Sequence, residues 1–230
     1  MTDASKDAQK AAAAKAAVAH IVTNTTIGLG TGSTMAFALD ALAERIRAEG
    51  LVIQGVPTSQ ATADRAQQLG IPLTTLDASP ELDLAIDGAD EVDPNFAMIK
   101  GGGGALLREK IVAHAAKHVI IVVDAGKRVE RLGAFPLPIE VVPFGAATVK
   151  HHLEQRGMTT QLRQRDGATW VTDEGNWILD AKAPTPIVDP AGLHAKLVAH
   201  PAVVETGLFV GLLDTLIVGG PAGVETLLAG

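Results

Sequence analysis

Several residue types are scarce or missing from this chain, and each absence removes a class of protein. None of its 230 residues is cysteine, which excludes a disulfide framework and any thiolate chemistry. Tyrosine is absent too, and aromatic residues make up only 3% of the sequence, so stacking platforms for nucleic-acid bases are not expected. No apolar run approaches the roughly 20 residues that a membrane-spanning helix needs. The alanine-rich start lacks the continuous apolar stretch of a signal peptide, and a cytoplasmic location is expected.

Positive charge is also in deficit. The chain has 19 Lys and Arg against 26 Asp and Glu, which gives a formal net charge of -7. A nucleic-acid-binding protein normally presents a basic face, so that function is not expected. An anionic small molecule stays compatible with this balance, because a few local donors can outweigh the net charge.

The hydrophobic pattern predicts the fold class. Hydrophobic residues make up 47% of the chain, and over its first 124 residues apolar strand-like runs alternate with helix-like segments. This alternation predicts an α/β fold with a Rossmann-like, mostly parallel sheet flanked by helices. The predicted strands are Thr25–Gly30, Leu51–Val56, Leu82–Asp87 and His118–Asp124.

The pattern changes after the proline-rich stretch Pro136–Pro143. Strand, helix, strand, strand, helix and strand then follow in an order that predicts a small α+β domain of the split βαβ, ferredoxin-like kind. The tail "DTLIVGGPAGVETLLAG" predicts a buried strand, a turn and a helix that return to the first domain. We therefore expect a catalytic domain of residues 1–132 and 207–230, with an inserted lid domain of residues 133–206.

Three unusual segments follow predicted strands, where ligands bind in open parallel sheets. The first is "GLGTGST", Gly28 to Thr34. Its glycines allow a close backbone approach, and the helix that follows offers N–H groups to an anion such as phosphate. It is neither a Walker A loop nor a dinucleotide fingerprint. An ordinary strand-to-helix turn with Thr31 or Ser33 as the N-cap is the alternative.

The second segment, "DGADEVD", places four carboxylates in seven residues. Clustered acids repel one another, which suggests either a divalent metal site or acceptors for sugar hydroxyl groups. An acidic turn is the alternative. We favour a functional role for Asp87 and Asp90, and the turn for Glu91 and Asp93.

The third segment is "KGGGGALLREK", in which Lys100 ends a short predicted strand and Glu109 lies in the first turns of a helix. Four glycines between them can wrap closely around a small ligand. The ammonium and the carboxylate are expected to face one pocket. The alternative for Glu109 is an exposed helix surface. Lys127, after another strand, is a further candidate cation or a surface lysine.

Together these motifs, in this order and spacing, closely resemble the ribose-5-phosphate isomerase family, type A. Further matching segments are "VVDAGK", "DEGNWILD" and "ETGLF". The resemblance implies interconversion of ribose 5-phosphate and ribulose 5-phosphate in the pentose phosphate pathway, without a metal or organic cofactor. It also implies a homodimer or homotetramer.

The resemblance also implies roles for individual residues. Glu109 matches the base of the family, and Asp87, Asp90 and Lys100 match the polar groups around the reacting end of the sugar. Lys10 matches an N-terminal lysine near the phosphate, and Gly104 departs from the alanine of relatives, a change expected to alter loop stiffness more than chemistry. The positions implied to contact the substrate are Thr31, Gly32, Ser33, Thr34, Asp87, Gly88, Ala89, Asp90, Lys100, Gly101, Gly102, Gly103 and Lys127.

The same residues leave three rival functions open. An amino-sugar-phosphate deaminase and a coenzyme A transferase are enzymes on a similar fold. A sugar-phosphate-sensing regulator would need a DNA-reading module, and the sequence has no basic helix-turn-helix region.

Overall fold

The computed structural model describes residues 3–184 and 186–229. Over these ranges the chain forms six α-helices, fifteen strands and two short 3₁₀ turns. The helices are α1 (Asp3–Val18), α2 (Ser33–Glu49), α3 (Gln60–Gln68), α4 (Leu106–Ala115), α5 (Ala146–Glu154) and α6 (Pro190–Val198). The strands are β1 (Thr25–Leu29), β2 (Ile53–Pro57), β3 (Leu84–Gly88), β4 (Glu91–Val92), β5 (Met98–Ile99), β6 (Val119–Asp124), β7 (Leu137–Val141), β8 (Thr159–Leu162), β9 (Gln164–Arg165), β10 (Ala168–Thr169), β11 (Trp177–Lys182), β12 (Val203–Thr206), β13 (Leu208–Phe209), β14 (Thr215–Gly220) and β15 (Gly223–Leu228).

The chain divides into two compact units. The first consists of the described residues of Met1–Ala89, Arg108–Arg128 and Leu212–Gly230. The second consists of those of Asp90–Leu107 and Val129–Gly211. The sequence-based division into 1–132 with 207–230 and 133–206 stays a prediction. The second unit takes in residues 90–107 as well, because β4 and β5 pair with each other and β5 pairs with β13.

The first unit is built on a six-stranded sheet in the order β15-β14-β6-β3-β1-β2. Five of its strands run parallel and β15 is antiparallel. Every residue of β6 is buried, as a parallel strand covered on both faces requires. Helix α1 lies close to the sheet: a Cβ on Gly219 of β14 would be 2.1 Å from the carbonyl oxygen of Gln9. The expected mostly parallel α/β sheet is confirmed.

The predicted C-terminal helix is wrong. Residues Gly223–Leu228 form the edge strand β15, which pairs with β14 from Gly220↔Gly223 to Thr215↔Leu228. The connection is the two-residue turn Pro221–Ala222, and Gly223 adopts a φ of 120° that favours glycine. The neighbouring strand therefore decides the structure of this segment over its weak local preference.

The second unit contains a four-stranded antiparallel sheet in the order β12-β7-β11-β8. Helix α5 connects β7 to β8, and α6 connects β11 to β12. This is the ferredoxin-like arrangement that the element order predicted. The unit also holds the hairpin β9–β10 and a three-stranded sheet, β13-β5-β4. Within 3–184 and 186–229, no helix has the length and apolar character needed to cross a bilayer.

Candidate active site

The first unit has a topological switch point between β1 and β3. These strands are neighbours in the sheet, but the chain continues from β1 to β2 on one side and from β3 to β6 on the other. Ligands of open parallel sheets bind in the crevice at such a point, outside the carboxyl ends of the strands. The loop 30–34 follows β1, and Asp87 lies at the end of β3. Two of the three segments singled out in the sequence therefore meet here.

Asp87 holds the loop after β1 in place. Its side chain is buried, and Oδ1 accepts the N–H of Thr31 at 3.1 Å and the N–H of Gly88 at 2.8 Å. The N–H of Gly30 donates to the carbonyl oxygen of Ile86 at 2.9 Å. A Cβ on Gly30 would lie 2.1 Å from Oδ1 of Asp87, so only glycine permits this approach. Asp87 and the loop thus form one assembly.

A cluster of hydroxyl groups anchors the same loop, and the sequence analysis missed it. Oγ1 of Thr31 lies 2.8 Å from Oγ1 of Thr58, 2.8 Å from Oγ of Ser59 and 3.1 Å from Oγ1 of Thr62. Thr62 in turn donates to the carbonyl oxygen of Gly30 at 2.9 Å. The hydroxyl of Thr31 is therefore held by the protein. The signal was "PTSQAT", in which Ser59 caps α3 directly after β2.

The N-terminus of α2 has the features of an anion site. Its N-cap is Gly32, with a φ of 111° and no side-chain cap, so neither Thr31 nor Ser33 fills that role. Uncapped N–H groups and the helix dipole favour an anion. Lys10 adds a positive charge, since its Nζ donates to Oγ of Ser33 at 3.3 Å. Thr34, half-buried, follows in the first turn of the helix.

Glu109 is buried in the first turn of α4, with only 4% of its surface exposed. The alternative of a solvent-exposed helix-surface glutamate is therefore wrong. Helix α4 packs tightly against the sheet, because a Cβ on Gly28 of β1 would be 2.4 Å from Cγ1 of Val112. Val112 lies one helical turn after Glu109 along α4. The carboxylate is thus carried by a helix that is firmly held.

Lys127 follows β6, the neighbour of β3. It lies in the 3₁₀ turn Ala125–Lys127, where Oδ1 of Asp124 accepts the N–H of Gly126 at 2.9 Å. Its side chain is half-buried, as are Gly88 and Ala89 after β3. Because β1, β3 and β6 run parallel, their three loops leave the same edge of the sheet. A half-buried cation at this edge is suited to an anionic ligand.

The second unit carries the other candidate residues. Lys100 is buried, with 3% of its surface exposed, and its Nζ lies 5.4 Å from the ring centroid of Phe209. Its N–H donates to the carbonyl oxygen of Gly207 at 2.9 Å. Asp90 is half-buried, and its Oδ2 accepts the N–H of Gly102 at 2.7 Å. The buried side chain of Lys100 and the carboxylate of Asp90 therefore both have contacts within this unit.

Two residues of the glycine loop, Gly101–Gly104, adopt backbone conformations that other residues rarely adopt. Gly101 and Gly104 have φ values of 98° and 85°, in the region that favours glycine, and Gly104 N–H donates to Gly101 O at 3.0 Å. Gly102 and Gly103 are exposed. A Cβ on Gly104 would also lie 2.7 Å from Nε1 of Trp170. An alanine there would strain the backbone and displace the Trp170 ring, and the expectation that such a change alters loop stiffness more than chemistry stays a prediction.

The remaining acids of "DGADEVD" have structural partners. The buried carboxylate of Glu91 accepts the N–H groups of Gly133 and Phe135 at 2.7 and 2.6 Å. Asp93 accepts two N–H groups of its own turn, each at 2.9 Å. The turn interpretation of Asp93 is confirmed. Over the described ranges, no three His, Asp or Glu side chains gather into a group that could hold a metal ion.

The chain is similar to known proteins over most of its length. The family model of ribose 5-phosphate isomerase A (phosphoriboisomerase A) matches residues 54–223. Ribose-5-phosphate isomerase A of Chloroflexus aurantiacus is 52% identical over 228 residues, which cover 98% of this chain and 95% of that protein. The enzyme of the same name from a Synechococcus species is 50% identical over 227 residues, with 97% and 98% coverage.

Two solved structures share the fold over nearly all of their length. A D-ribose-5-phosphate isomerase in complex with phospho-erythronic acid aligns with a TM-score of 0.94 and 39% identity, covering 97% of this chain and 99% of that one. Ribose 5-phosphate isomerase A from Methanocaldococcus jannaschii aligns with a TM-score of 0.91 and 40% identity, covering 96% and 98%. Sequence and fold similarity each span nearly the whole chain, and this chain belongs to the ribose 5-phosphate isomerase A family.

Proposed function

We propose that this chain interconverts D-ribose 5-phosphate and D-ribulose 5-phosphate through an enediolate intermediate. The observation that carries the proposal is the full-length similarity, at about half of all positions, to proteins named for this isomerase. The first unit also contains a buried carboxylate, Glu109, which can act as the base that this isomerisation needs. The phospho-erythronic acid bound by one structural relative fits this chemistry, because a carboxylate imitates the planar oxygens of an enediolate.

Binding of the phosphate group of the substrate is assigned to the loop after β1. Uncapped N–H groups at Gly32, Ser33 and Thr34 would donate to its oxygens, as helix N-termini do for phosphates. Lys10, beside Ser33, and Lys127, after β6, supply positive charge. Binding energy from this remote group can then orient the reacting end of the sugar.

Proton transfer is assigned to Glu109. In the aldose, the carboxylate removes the proton from carbon 2, and the electron pair moves toward the carbonyl at carbon 1 to form the enediolate. The same carboxylic acid returns the proton to carbon 1, and the oxygen at carbon 2 becomes the ketone. General base catalysis of this kind contributes roughly 10²–10⁴-fold in rate. The burial of Glu109 keeps bulk water from the proton while it is held.

Stabilisation of the negative charge on the enediolate is assigned to Lys100 and the glycine loop. A preorganised donor at such an oxyanion contributes about 3 kcal/mol, and a buried ammonium group interacts more strongly than an exposed one. The main-chain N–H of Gly103 can add to it, because a glycine has no side chain to block the approach of the substrate. Asp90 fixes this loop through Gly102.

Asp87 is assigned the movement of protons between sugar oxygens, including those released when the furanose ring opens. The N–H groups of Thr31 and Gly88 donate to its Oδ1 and hold the carboxylate at the crevice. In this scheme Oδ2 exchanges protons with the sugar oxygens. Gly88 and Ala89 extend the same loop along the substrate. This scheme uses only groups of the protein, so the proposal includes no cofactor.

The cellular setting is proposed from the family. We place the reaction in the non-oxidative pentose phosphate pathway, in the cytoplasm, with the enzyme acting as a homodimer or homotetramer. The smaller α+β region, residues 133–206, is proposed to act as a lid domain over the substrate.

A direct assay tests the proposal. Purified protein is incubated with ribose 5-phosphate and the appearance of a ketose is followed with time. Formation of ribulose 5-phosphate supports the proposal. Binding of the sugar phosphate with no ketose formed contradicts it and favours a sensor, and release of ammonia from glucosamine phosphate would instead indicate a deaminase.

A further inference from the structure

Arg163, in the connection between β8 and β9, holds the carbonyl groups of the glycine loop. Its Nη1 donates to the carbonyl oxygen of Gly101 at 2.8 Å and to that of Gly102 at 3.3 Å. The other side of the guanidinium donates to both carboxylate oxygens of Asp180, from Nε at 2.9 Å and from Nη2 at 2.5 Å. The side chains of Arg163 and Asp180 are only 13% and 24% exposed. All of these groups belong to the second unit.

Because the peptide bond is planar, a hydrogen bond that fixes a carbonyl group also fixes the direction of the N–H of the next residue. In a trans peptide the C=O and the N–H point in opposite directions. Fixing the carbonyl of Gly101 therefore fixes the N–H of Gly102, which donates to Oδ2 of Asp90 at 2.7 Å on the other side. Fixing the carbonyl of Gly102 fixes the direction of the N–H of Gly103 in the same way.

A run of glycines needs such a restraint. Glycine has access to far more backbone conformations than any other residue, so a loop of four would spread its N–H groups over many directions. Preorganised donors are useful in catalysis only if they already point to where the charge develops. Asp180 contributes by holding the guanidinium in a two-point ion pair, which sets its plane as well as its position.

We propose that Arg163, oriented by Asp180, is a positioning residue that keeps the N–H of Gly102 on Asp90 and fixes the direction of the N–H of Gly103 for the reaction. This rests on the proposed isomerase function. Arg163 itself does not contact the substrate in this scheme. Its influence passes through the peptide planes of the glycine loop to the two N–H groups and to the carboxylate of Asp90.

The first experiment compares kinetic constants for the wild type, Arg163→Lys, Asp180→Asn and Arg156→Lys. Lysine keeps the charge but loses the planar, two-sided donor set of arginine, so kcat should fall by about 10- to 100-fold. KM should stay within about twofold, because the phosphate is assigned to the loop after β1. Arg156, an exposed arginine just after the end of α5 whose Nη1 donates to the carbonyl oxygen of His152, is the matched control and should leave kcat unchanged.

The second experiment measures amide hydrogen exchange in the segment 101–104 of the same proteins. Exchange should become faster in Arg163→Lys and Asp180→Asn but not in Arg156→Lys. A folded Arg163→Lys variant with wild-type kcat, or with lowered kcat and unchanged exchange in 101–104, would overturn the proposal. An ion pair that only stabilises the small sheet predicts the latter result.

A third measurement separates positioning from general damage. In Arg163→Ala, added guanidinium chloride at millimolar concentration should restore part of kcat, whereas sodium chloride at the same ionic strength should not. Equal effects of the two salts count against the proposal. If Arg163→Ala does not fold, Arg163→Lys and Asp180→Asn decide the matter. Failure of the wild type to isomerise ribose 5-phosphate would refute the function itself, and the exchange experiment would still test the role of Arg163 in the loop.

Discussion

The main-chain N–H of Thr31 donates a hydrogen bond of 3.1 Å to Oδ1 of Asp87, although 56 positions separate them in the sequence. This bond joins the ends of β1 and β3 at the switch point of the sheet. Because the same oxygen also accepts the N–H of Gly88 at 2.8 Å, the carboxylate is fixed by two main-chain donors. The loop assigned to phosphate and the acid assigned to sugar oxygens are therefore built as one piece.

The first prediction tests this junction with Gly30→Ala. The added Cβ would lie 2.1 Å from Oδ1 and 2.7 Å from Cα of Asp87, so the strand end must shift. Overpacking of this kind typically lowers the free energy of unfolding by about 1–3 kcal/mol, and we expect kcat/KM to fall more than tenfold. Chemical denaturation and steady-state kinetics measure both quantities.

Gly220→Ala is the control for that substitution. Gly220 ends β14 in the same sheet, and its added Cβ would meet only ordinary contacts, the nearest at 3.7 Å. This variant should keep wild-type kinetics. If Gly30→Ala behaves like Gly220→Ala in both measurements, the tight junction between Thr31 and Asp87 is not needed for activity.

The second prediction concerns the charge of Lys100. Lys100→Ala should lower kcat by about 10²–10³-fold, because it removes the donor that the proposed mechanism assigns to the enediolate, and should raise KM much less. Lys150→Ala, at a half-exposed lysine of the same unit, should change neither constant. An effect of Lys100→Ala confined to KM would make this lysine a binding residue only.

The order of elements was largely predictable from the sequence, because buried strands and helices require continuous or periodic runs of apolar residues, and such runs can be read directly. The run from Val119 to Asp124 is buried throughout and reads as a central parallel strand. In the second unit, β7, α5, β8, β11, α6 and β12 follow the expected order of strands and helices. The segment Gly223–Leu228 was misread because its pattern is weak, and pairing with β14 decides its structure.

The candidate site could be proposed from the sequence where chemically active residues stand in short motifs, as at Asp87, Lys100 and Glu109, whose catalytic roles stay predictions. It was not predictable where the partner is remote. Arg163 lies 62 residues from Gly101 and stands in a segment that reads only as a polar strand. The hydroxyl groups of Thr58 and Thr62 reach Thr31 only because β2 is placed beside β1. Such contacts depend on sheet order, which hydrophobic periodicity does not specify.

The third prediction concerns metal removal. Exhaustive dialysis against a chelator should leave full isomerase activity, because the mechanism assigns proton transfer to Glu109 and charge stabilisation to Lys100. The assay is ketose formation before and after treatment. Loss of activity that returns on addition of a divalent cation would revive the interpretation of the acidic cluster around Asp87 and Asp90 as a metal site.

The fourth prediction is a pH dependence of stability that comes from Glu140 of β7. Burial raises the pKa of this carboxyl above its ordinary value of 4.5, and the nearby charge of Glu174 adds to the rise, while hydrogen bonds from Asn176 and Thr172 lower it. The folded state therefore holds this proton more firmly than the unfolded chain does. The contribution to stability is fully present below pH 4.5 and is lost as the pH rises through the raised value.

Glu140→Gln removes this titration. The free energy of unfolding of the variant should therefore rise relative to that of the wild type as the pH increases above 4.5, with a slope of at most about 1.4 kcal/mol per pH unit. Urea denaturation over a series of pH values measures the difference. A difference that is constant with pH, or that changes in the opposite direction, is incompatible with a raised pKa at Glu140.

The most direct test of the account is the turnover of Glu109→Gln with ribose 5-phosphate. Glutamine preserves the size of this buried side chain but cannot accept the proton from carbon 2, so the folded variant should lose about 10²–10⁴-fold in kcat. Circular dichroism and the urea midpoint establish that the fold is kept. A folded Glu109→Gln variant that forms ribulose 5-phosphate at close to the wild-type rate would contradict the assignment of the base and the mechanism built on it.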